Sequence, residues 1–373
     1  MKIKKVNSLY ILLLLLIFIF LLAACSHREN PSEPPKAKTI PSLFDQAKPL
    51  TLKQDTFQKI VGWLDNTSIV YMAEENNQSI ICKYNLLDGN QSILFSSGNP
   101  IKNVVISPDK KNLLIHSASL TYSAALSIID TEGKIIVNRK VPSYDLSFHW
   151  NRENPDLILT TVFYEDWSYR VNILNVKDGS FHPYDFNDPF VKWFRENDIV
   201  LQNWKDNEMH FFAPLWSYSS PYTNKGRELF QNIYQFDSFQ PYLMTITIPE
   251  KDRESAMYHF YNDTLEEMFS FRVPHLRQYD NWLVPYYDFS HHEFLTFVPH
   301  GNGSADEYNG NFQLVRYDIQ EKDKTIIADS LKNEPILFSP DRTLCLYGYQ
   351  LNQLIDLKTG KKKKIVEYEK KSQ

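Results

Sequence analysis

The chain has 373 residues, 40 basic and 45 acidic side chains, a net charge of −5 and 43% hydrophobic residues. That length supports one large repeat array or two ordinary domains. The acidic balance argues against charge-driven binding to nucleic acid or anionic wall polymers, and no nucleic-acid partner is expected.

In chain order, Lys2, Lys4 and Lys5 precede an apolar run from Tyr10 to Leu22 that ends in Leu22-Ala23-Ala24-Cys25. A basic start, a short apolar stretch and small residues are the three parts of a secretory signal. A Cys after small residues makes it a lipobox: the Cys25 thiol takes a diacylglycerol, the chain is cut before it, and the new amino terminus is acylated. The alternative is an uncleaved anchor, but Leu9 to Ala24 is short for a bilayer span of ~20 residues. Two or three acyl chains hold firmly where a single one is marginal. Residues 1–24 therefore read as signal peptide, with the mature chain on the outer face of the cell membrane through Cys25. Pro31, Pro34, Pro35, Pro41 and Pro49 mark 25–50 as the lipidated Cys and an extended linker. The folded domain is expected over 51–373, with 48–53 either pairing beside its last unit or staying in the linker.

From there a pattern recurs: a strand, a Trp or Ser-Pro-Asp turn, then a strand rich in Ile, Leu, Val and Tyr. Trp63, Ser107, Trp150, Trp193, Asp237, Tyr287 and Ser339 mark it, at spacings of 44, 43, 43, 44, 50 and 52. A period of ~40–45 residues with short strands is that of a propeller blade. Asp88-Gly89, Glu132-Gly133, Asp178-Gly179 and Thr359-Gly360 supply tight turns between the later strands of each repeat. The expected fold is all-β, a β-propeller of four-stranded antiparallel blades, seven by the count of copies, with six as the alternative.

Several side chains invite a chemical reading. Cys82 and Cys345 lie inside apolar strands, where buried thiols or a disulfide are both open. His275, His291, His292 and His300 are either turn and surface residues or part of a metal site; the adjacent pair would point to opposite faces of a strand. The polar stretch 300–311 lacks the EF-hand spacing and reads as a flexible hairpin tip suited to contacts. Trp204, Phe211, Phe212, Trp216, Tyr218 and Tyr222 crowd the fourth repeat. For Phe211 and Phe212 packing is expected; Trp216, Tyr218 and Tyr222, beside a Ser-Pro-rich loop, are the candidate ligand platform. No catalytic residue, metal ligand or cofactor is assigned, because the common catalytic and phosphate-binding motifs are absent.

Gly62-Trp63-Leu64-Asp65, Ser107-Pro108-Asp109, Asp166-Trp167-Ser168-Tyr169 and Ser339-Pro340-Asp341, together with the lipobox and proline linker, carry a resemblance. The chain resembles the YqgU-like β-propeller lipoproteins of Bacillus-type bacteria over 45–367. The resemblance implies a membrane lipoprotein with a propeller domain and no established activity. The expected role is a binding module for an unknown protein or wall component. The alternative is a metal-dependent wall- or carbohydrate-processing enzyme using the propeller channel.

Overall fold

In a computed structural model of the chain, the described residues are 42–53, 56–120, 122–204, 211–220, 222, 225–279 and 281–369. Leu22, Ala23, Ala24 and Cys25 lie outside them. Among the described residues no helix is long and apolar enough to cross a membrane.

Among the described residues, seven four-stranded antiparallel sheets follow one another along the chain. Their innermost strands are Phe57–Trp63, Ile101–Ile106, Asp145–Trp150, Lys192–Arg195, Gln235–Phe239, Tyr287–Ser290 and Ile336–Phe338, and blades 1 to 7 are numbered accordingly. Second strands are buried on both faces: all five residues of Asp198–Gln202 in blade 4, and six of eight in Ser68–Glu75 of blade 1. Fourth strands such as Asp323–Leu331 are largely exposed. A sheet apolar on both faces cannot shield itself and must pack against neighbours.

The core shows how that is met. Seven apolar clusters each join two neighbouring blades. Val70 meets Val104 and Leu113 between blades 1 and 2; Leu114 meets Trp150 and Ile158 between 2 and 3. Ile173 meets Trp193 between 3 and 4, and Phe194 meets Phe236 between 4 and 5. Phe260 meets Phe289 and Phe294 between 5 and 6; Phe297 meets Phe338 and Cys345 between 6 and 7. The seventh cluster packs Trp63 and Ile69 of blade 1 on Leu344, Leu346 and Leu354 of blade 7, closing the ring.

Among the described residues no blade borrows a strand from the far end of the array. Closure is instead covered by a two-stranded parallel pair, Leu50–Leu52 with Val366–Tyr368. Before it stands a short helix α1 (Leu43–Gln46), capped at Ser42 by a reciprocal bond with Asp45. Phe44 and Leu50 are buried in the seventh cluster. Residues 42–50, expected as the end of the linker, are therefore part of the folded body. Buried Phe44 and Leu50, with Leu43 and Ala47 packed beside them, fix this segment.

The turns are as the sequence implied. Ser107 Oγ donates to Asp109 at 2.6 Å and accepts from the Asn112 N–H at 2.9 Å. Ser339 Oγ repeats this with Asp341 at 2.6 Å and the Leu344 N–H at 3.0 Å. Gly133 and Gly360 take positive φ, and a Cβ on either would strike the backbone carbonyl of Leu94 or Ile327 in the preceding blade. Glycine is required there by conformation and by contact.

The repeat markers drift in the later blades. Trp63 and Trp150 end their innermost strands, whereas Asp237 sits mid-strand and Tyr287 at a strand start. The long spacings arise from an additional three-stranded sheet formed by Leu276–Gln278, Asn281–Trp282 and Gly303–Ser304. The stretch 300–311, expected to be a flexible tip, is thus partly built into a sheet: Leu276 pairs with Gly303 and Arg277 with Ser304. Tyr308 caps it, its hydroxyl accepting from His300 N–H and donating to Asn311 O, both at 2.9 Å. Cys82 and Cys345 are buried free thiols in blades 1 and 7, so the disulfide alternative is not realised.

Candidate functional site

The innermost strands all run the same way, so the loops segregate. First-to-second and third-to-fourth turns lie on one face. Second-to-third turns and the links between blades lie on the other, here the connector face. Ten aromatic side chains are strongly exposed among the described residues, and nine are on connector-face loops. Tyr122, Trp167, Trp204, Phe211 and Tyr349 stand on second-to-third turns; Tyr144, Phe190, Tyr279 and Tyr286 stand on links between blades. Trp167 and Tyr279 are 87% and 88% exposed. The chain enters the body on the opposite face, where Lys48 binds the blade 1 turn through Leu86 O at 2.7 Å and Asp88 O at 3.0 Å.

At the channel mouth on the connector face lies a cleft of about 460 Å³. Its walls are Tyr234, Gln235, Gln278 and 281–287 of the link into blade 6, including Asn281, Trp282, Tyr286 and Tyr287. The additional sheet positions this wall. Trp282 is fixed by ring contacts to Tyr234 at 5.2 Å, Phe212 at 5.7 Å and Phe211 at 6.0 Å. The Tyr234 hydroxyl donates to Trp282 O at 2.7 Å and accepts from its N–H at 3.2 Å.

Below the cleft the channel holds a polar cluster from four blades. Lys192 forms an ion pair with Asp237, and the Tyr287 hydroxyl donates to Asp237 Oδ2 at 2.8 Å. Burial would raise the Asp237 carboxyl, but the Lys192 charge and hydrogen bond, with Tyr287, hold it below the usual range. His149 Nδ1 accepts the Trp193 N–H at 3.1 Å. Burial, reinforced by Lys192, pushes His149 down to about 3, so it is neutral with its proton on Nε2. Further down, Asn151, Arg152, Glu196 and Gln240 tie the turns of blades 3, 4 and 5 together through hydrogen bonds of 2.6 to 3.0 Å.

Asp288 of blade 6 accepts the Phe338 N–H at 2.7 Å and faces Lys110 and Arg152 from blades 2 and 3. Burial outweighs those partners and raises its carboxyl to about 6. Between the unfolded carboxylate value of ~4 and the folded value, the native chain keeps a proton the unfolded chain has lost. Stability therefore falls as pH rises through that window and stays lower above it. Asp288→Asn is expected to remove about 2–3 kcal/mol of that fall, measured as the difference between wild-type and variant unfolding free energies at pH 4 and pH 7. Parallel pH curves for the two proteins would refute the assignment.

The platform candidates are placed differently from an open surface. Tyr218 is buried against Phe186, ring centroids 5.5 Å apart, between blades 3 and 4. Trp216 and Tyr222 are half-buried against the same cluster, with Tyr222 edge-on to Tyr184 at 5.2 Å. They pack the interface rather than offering free ring faces. Phe212 packs with the blade 5 and 6 core as expected, while Phe211 is 40% exposed.

The four histidines do not converge. His275 is buried, shares a hydrogen bond with Leu283 O at 2.9 Å and is pushed by burial down to about 4. His292 faces Asp318 at 3.4 Å and His300 faces Asp329 at 3.0 Å, while His291 sits in a turn. Among the described residues, the grouping with metal-ligand geometry is His292, Glu293 and Asp318. It lies at the turn end of blade 6, and Arg316 and Arg342 both stand 3.6 Å from Glu293. Those guanidinium charges oppose a cation at this position.

The fold is a closed β-propeller with an aromatic connector face and a cleft at its channel mouth. The chain belongs to the YqgU-like six-bladed β-propeller family, whose model matches residues 85–348. That match starts inside blade 1 and stops inside blade 7, and seven four-stranded sheets are present here against the six of the family's description. An uncharacterised lipoprotein of Bacillus subtilis, YqgU, is 22% identical over 358 residues, covering 95% of this chain and 96% of the relative. The crystal structure of an uncharacterised protein from Listeria monocytogenes is similar with a TM-score of 0.81 and 26% identity, covering 87% of this chain and 99% of that one. The propeller domain of the Trilobed protease from Pyrococcus furiosus, described as having an open velcro topology, matches at a TM-score of 0.56 and 15% identity over 87% of this chain and 99% of that one; this likeness concerns the fold alone.

Proposed function

We propose that the chain is a lipoprotein held by lipid on Cys25 at the outer face of the cytoplasmic membrane, and that its connector face binds a protein or wall component. The observation that carries this reading is the concentration of nine exposed aromatics on one face, opposite the face where Lys48 binds the blade 1 turn. Aromatic side chains supply large contact area, so their gathering on one face supports an interaction surface. The lipoprotein relative supports the anchoring.

Site-specific photocrosslinking in cells tests it. Benzoylphenylalanine at Trp167, Tyr279 or Tyr349 is expected to give discrete adducts. The same probe at Glu132 or Lys322, on the opposite face, should give none. Equal adducts from both faces, or none from the aromatic face, would overturn the proposal.

A further inference from the structure

We infer that the cleft at the channel mouth is a subsite for a neutral oligosaccharide. The inference rests on the binding-module reading and names its ligand chemistry. Three clefts of comparable size open on the body. One is bordered by Lys53, Glu74, Glu75 and Glu369, another by Asp65, Lys83, Asp88 and Glu132. Among the described residues, the channel-mouth cleft has no charged side chain in its lining. A phosphate or carboxylate ligand would find no cation among those described lining residues.

What the lining does offer is matched to a sugar. A pyranose ring has an apolar C–H face and a rim of hydroxyls that both donate and accept. Tyr286, 42% exposed, and Trp282 give ring surface. Gln235, Gln278 and Asn281 give primary amides, each with two donor hydrogens and an acceptor oxygen. Gln278 and Asn281 are exposed, so their amides are open to a ligand. The wall is rigid, because Trp282 is held by three rings and by both backbone bonds of the Tyr234 hydroxyl. A preformed site loses less on binding. An extended peptide would pair along a free strand edge, and the strand bordering the cleft, Asn281–Trp282, has only two residues. The cleft volume lies within the range of ~300–1,000 Å³ usual for small-ligand sites.

The test is calorimetric titration of the full-length chain in detergent with tetra-N-acetylchitotetraose, cellotetraose and maltotetraose, with tetragalacturonate as the charged control. At least one neutral tetrasaccharide is expected to bind with a Kd below ~1 mM and tenfold tighter than tetragalacturonate. Tyr286→Ala and Gln278→Ala are each expected to weaken it tenfold or more, with unfolding unchanged since both side chains are on the surface. No binding by any neutral probe, or binding that both variants leave intact, overturns the inference. If no saccharide binds while benzoylphenylalanine at Tyr279 still gives adducts, the sugar inference falls and the binding-face reading stands.

Discussion

Asp237→Ala is expected to destabilise the propeller by about 3 kcal/mol, because it leaves Lys192 charged and unpaired in the channel. The side chains of the pair are 27% and 14% exposed, well below a surface ion pair. The substitution also removes the acceptor of the Tyr287 hydroxyl, and an unsatisfied buried donor carries its own desolvation cost. The pH dependence has a definite sign. The folded Asp237 carboxyl is held below its unfolded value, so its contribution is present above pH ~4 and is lost as pH falls through the folded value. A double replacement, Asp237→Leu with Lys192→Met, removes both charges together and is expected to lie within ~1–2 kcal/mol of the wild type. Denaturant unfolding with an unchanged slope measures all three. A single-variant loss under ~1 kcal/mol would show that the pair is effectively solvated.

The residues that make this cluster show where sequence reasoning reached and where it stopped. The Ser107 and Ser339 turns were legible because each is closed within five residues by its own hydroxyl and the following Asp. The glycine turns were legible for the same reason, since φ is a local property. Blades repeat those local signals, so the architecture followed from counting them. His149, Lys192, Asp237 and Tyr287 come from four different blades, and nothing within a window of sequence joins them. The available signal was an ionisable side chain on an innermost strand, such as Lys192 or Asp237, amid other polar residues on the same strands. It was obscured by the marker drift that the additional sheet causes between blades 5 and 6. The cleft was missed for a related reason. Its wall is built mainly from Gln278 and 281–287, a link between blades, whereas the aromatic crowding in the sequence lies in blade 4. There Tyr218 turns inward because strand alternation places it on the face shared with blade 3. Composition shows that aromatics are abundant; only the loop they occupy decides which remain exposed.

Trp63→Ala is the substitution expected to cost most at the ring closure, about 3–5 kcal/mol for a fully buried indole. Trp63 is 1% exposed and packs between blades 1 and 7 in the cluster holding Leu344, Leu346 and Leu354. Its indole N–H points to Leu337 O at 3.4 Å. In a propeller whose first and last blades share a strand, closure is covalently continuous and one side chain matters little. Here each blade is made from consecutive strands, so the interface between blades 1 and 7 is held by side-chain packing, a few bonds such as Ile60 N–H to Gln350 O at 3.0 Å, and the parallel pair at 50–52. A cavity at Trp63 therefore loosens the interface where the first and last blades meet. Leu94→Ala in the outer part of blade 1, 8% exposed, serves as a comparison for an ordinary inter-blade site, expected at about 2–3 kcal/mol. Proteolysis should distinguish them further: Trp63→Ala is expected to speed cleavage near 42–53, because α1 and Leu50 lie in the same cluster, while Leu94→Ala leaves that segment protected. A Trp63→Ala protein no less stable than the Leu94→Ala protein, with 42–53 still protected, would mean that the parallel strand pair alone holds the ring shut.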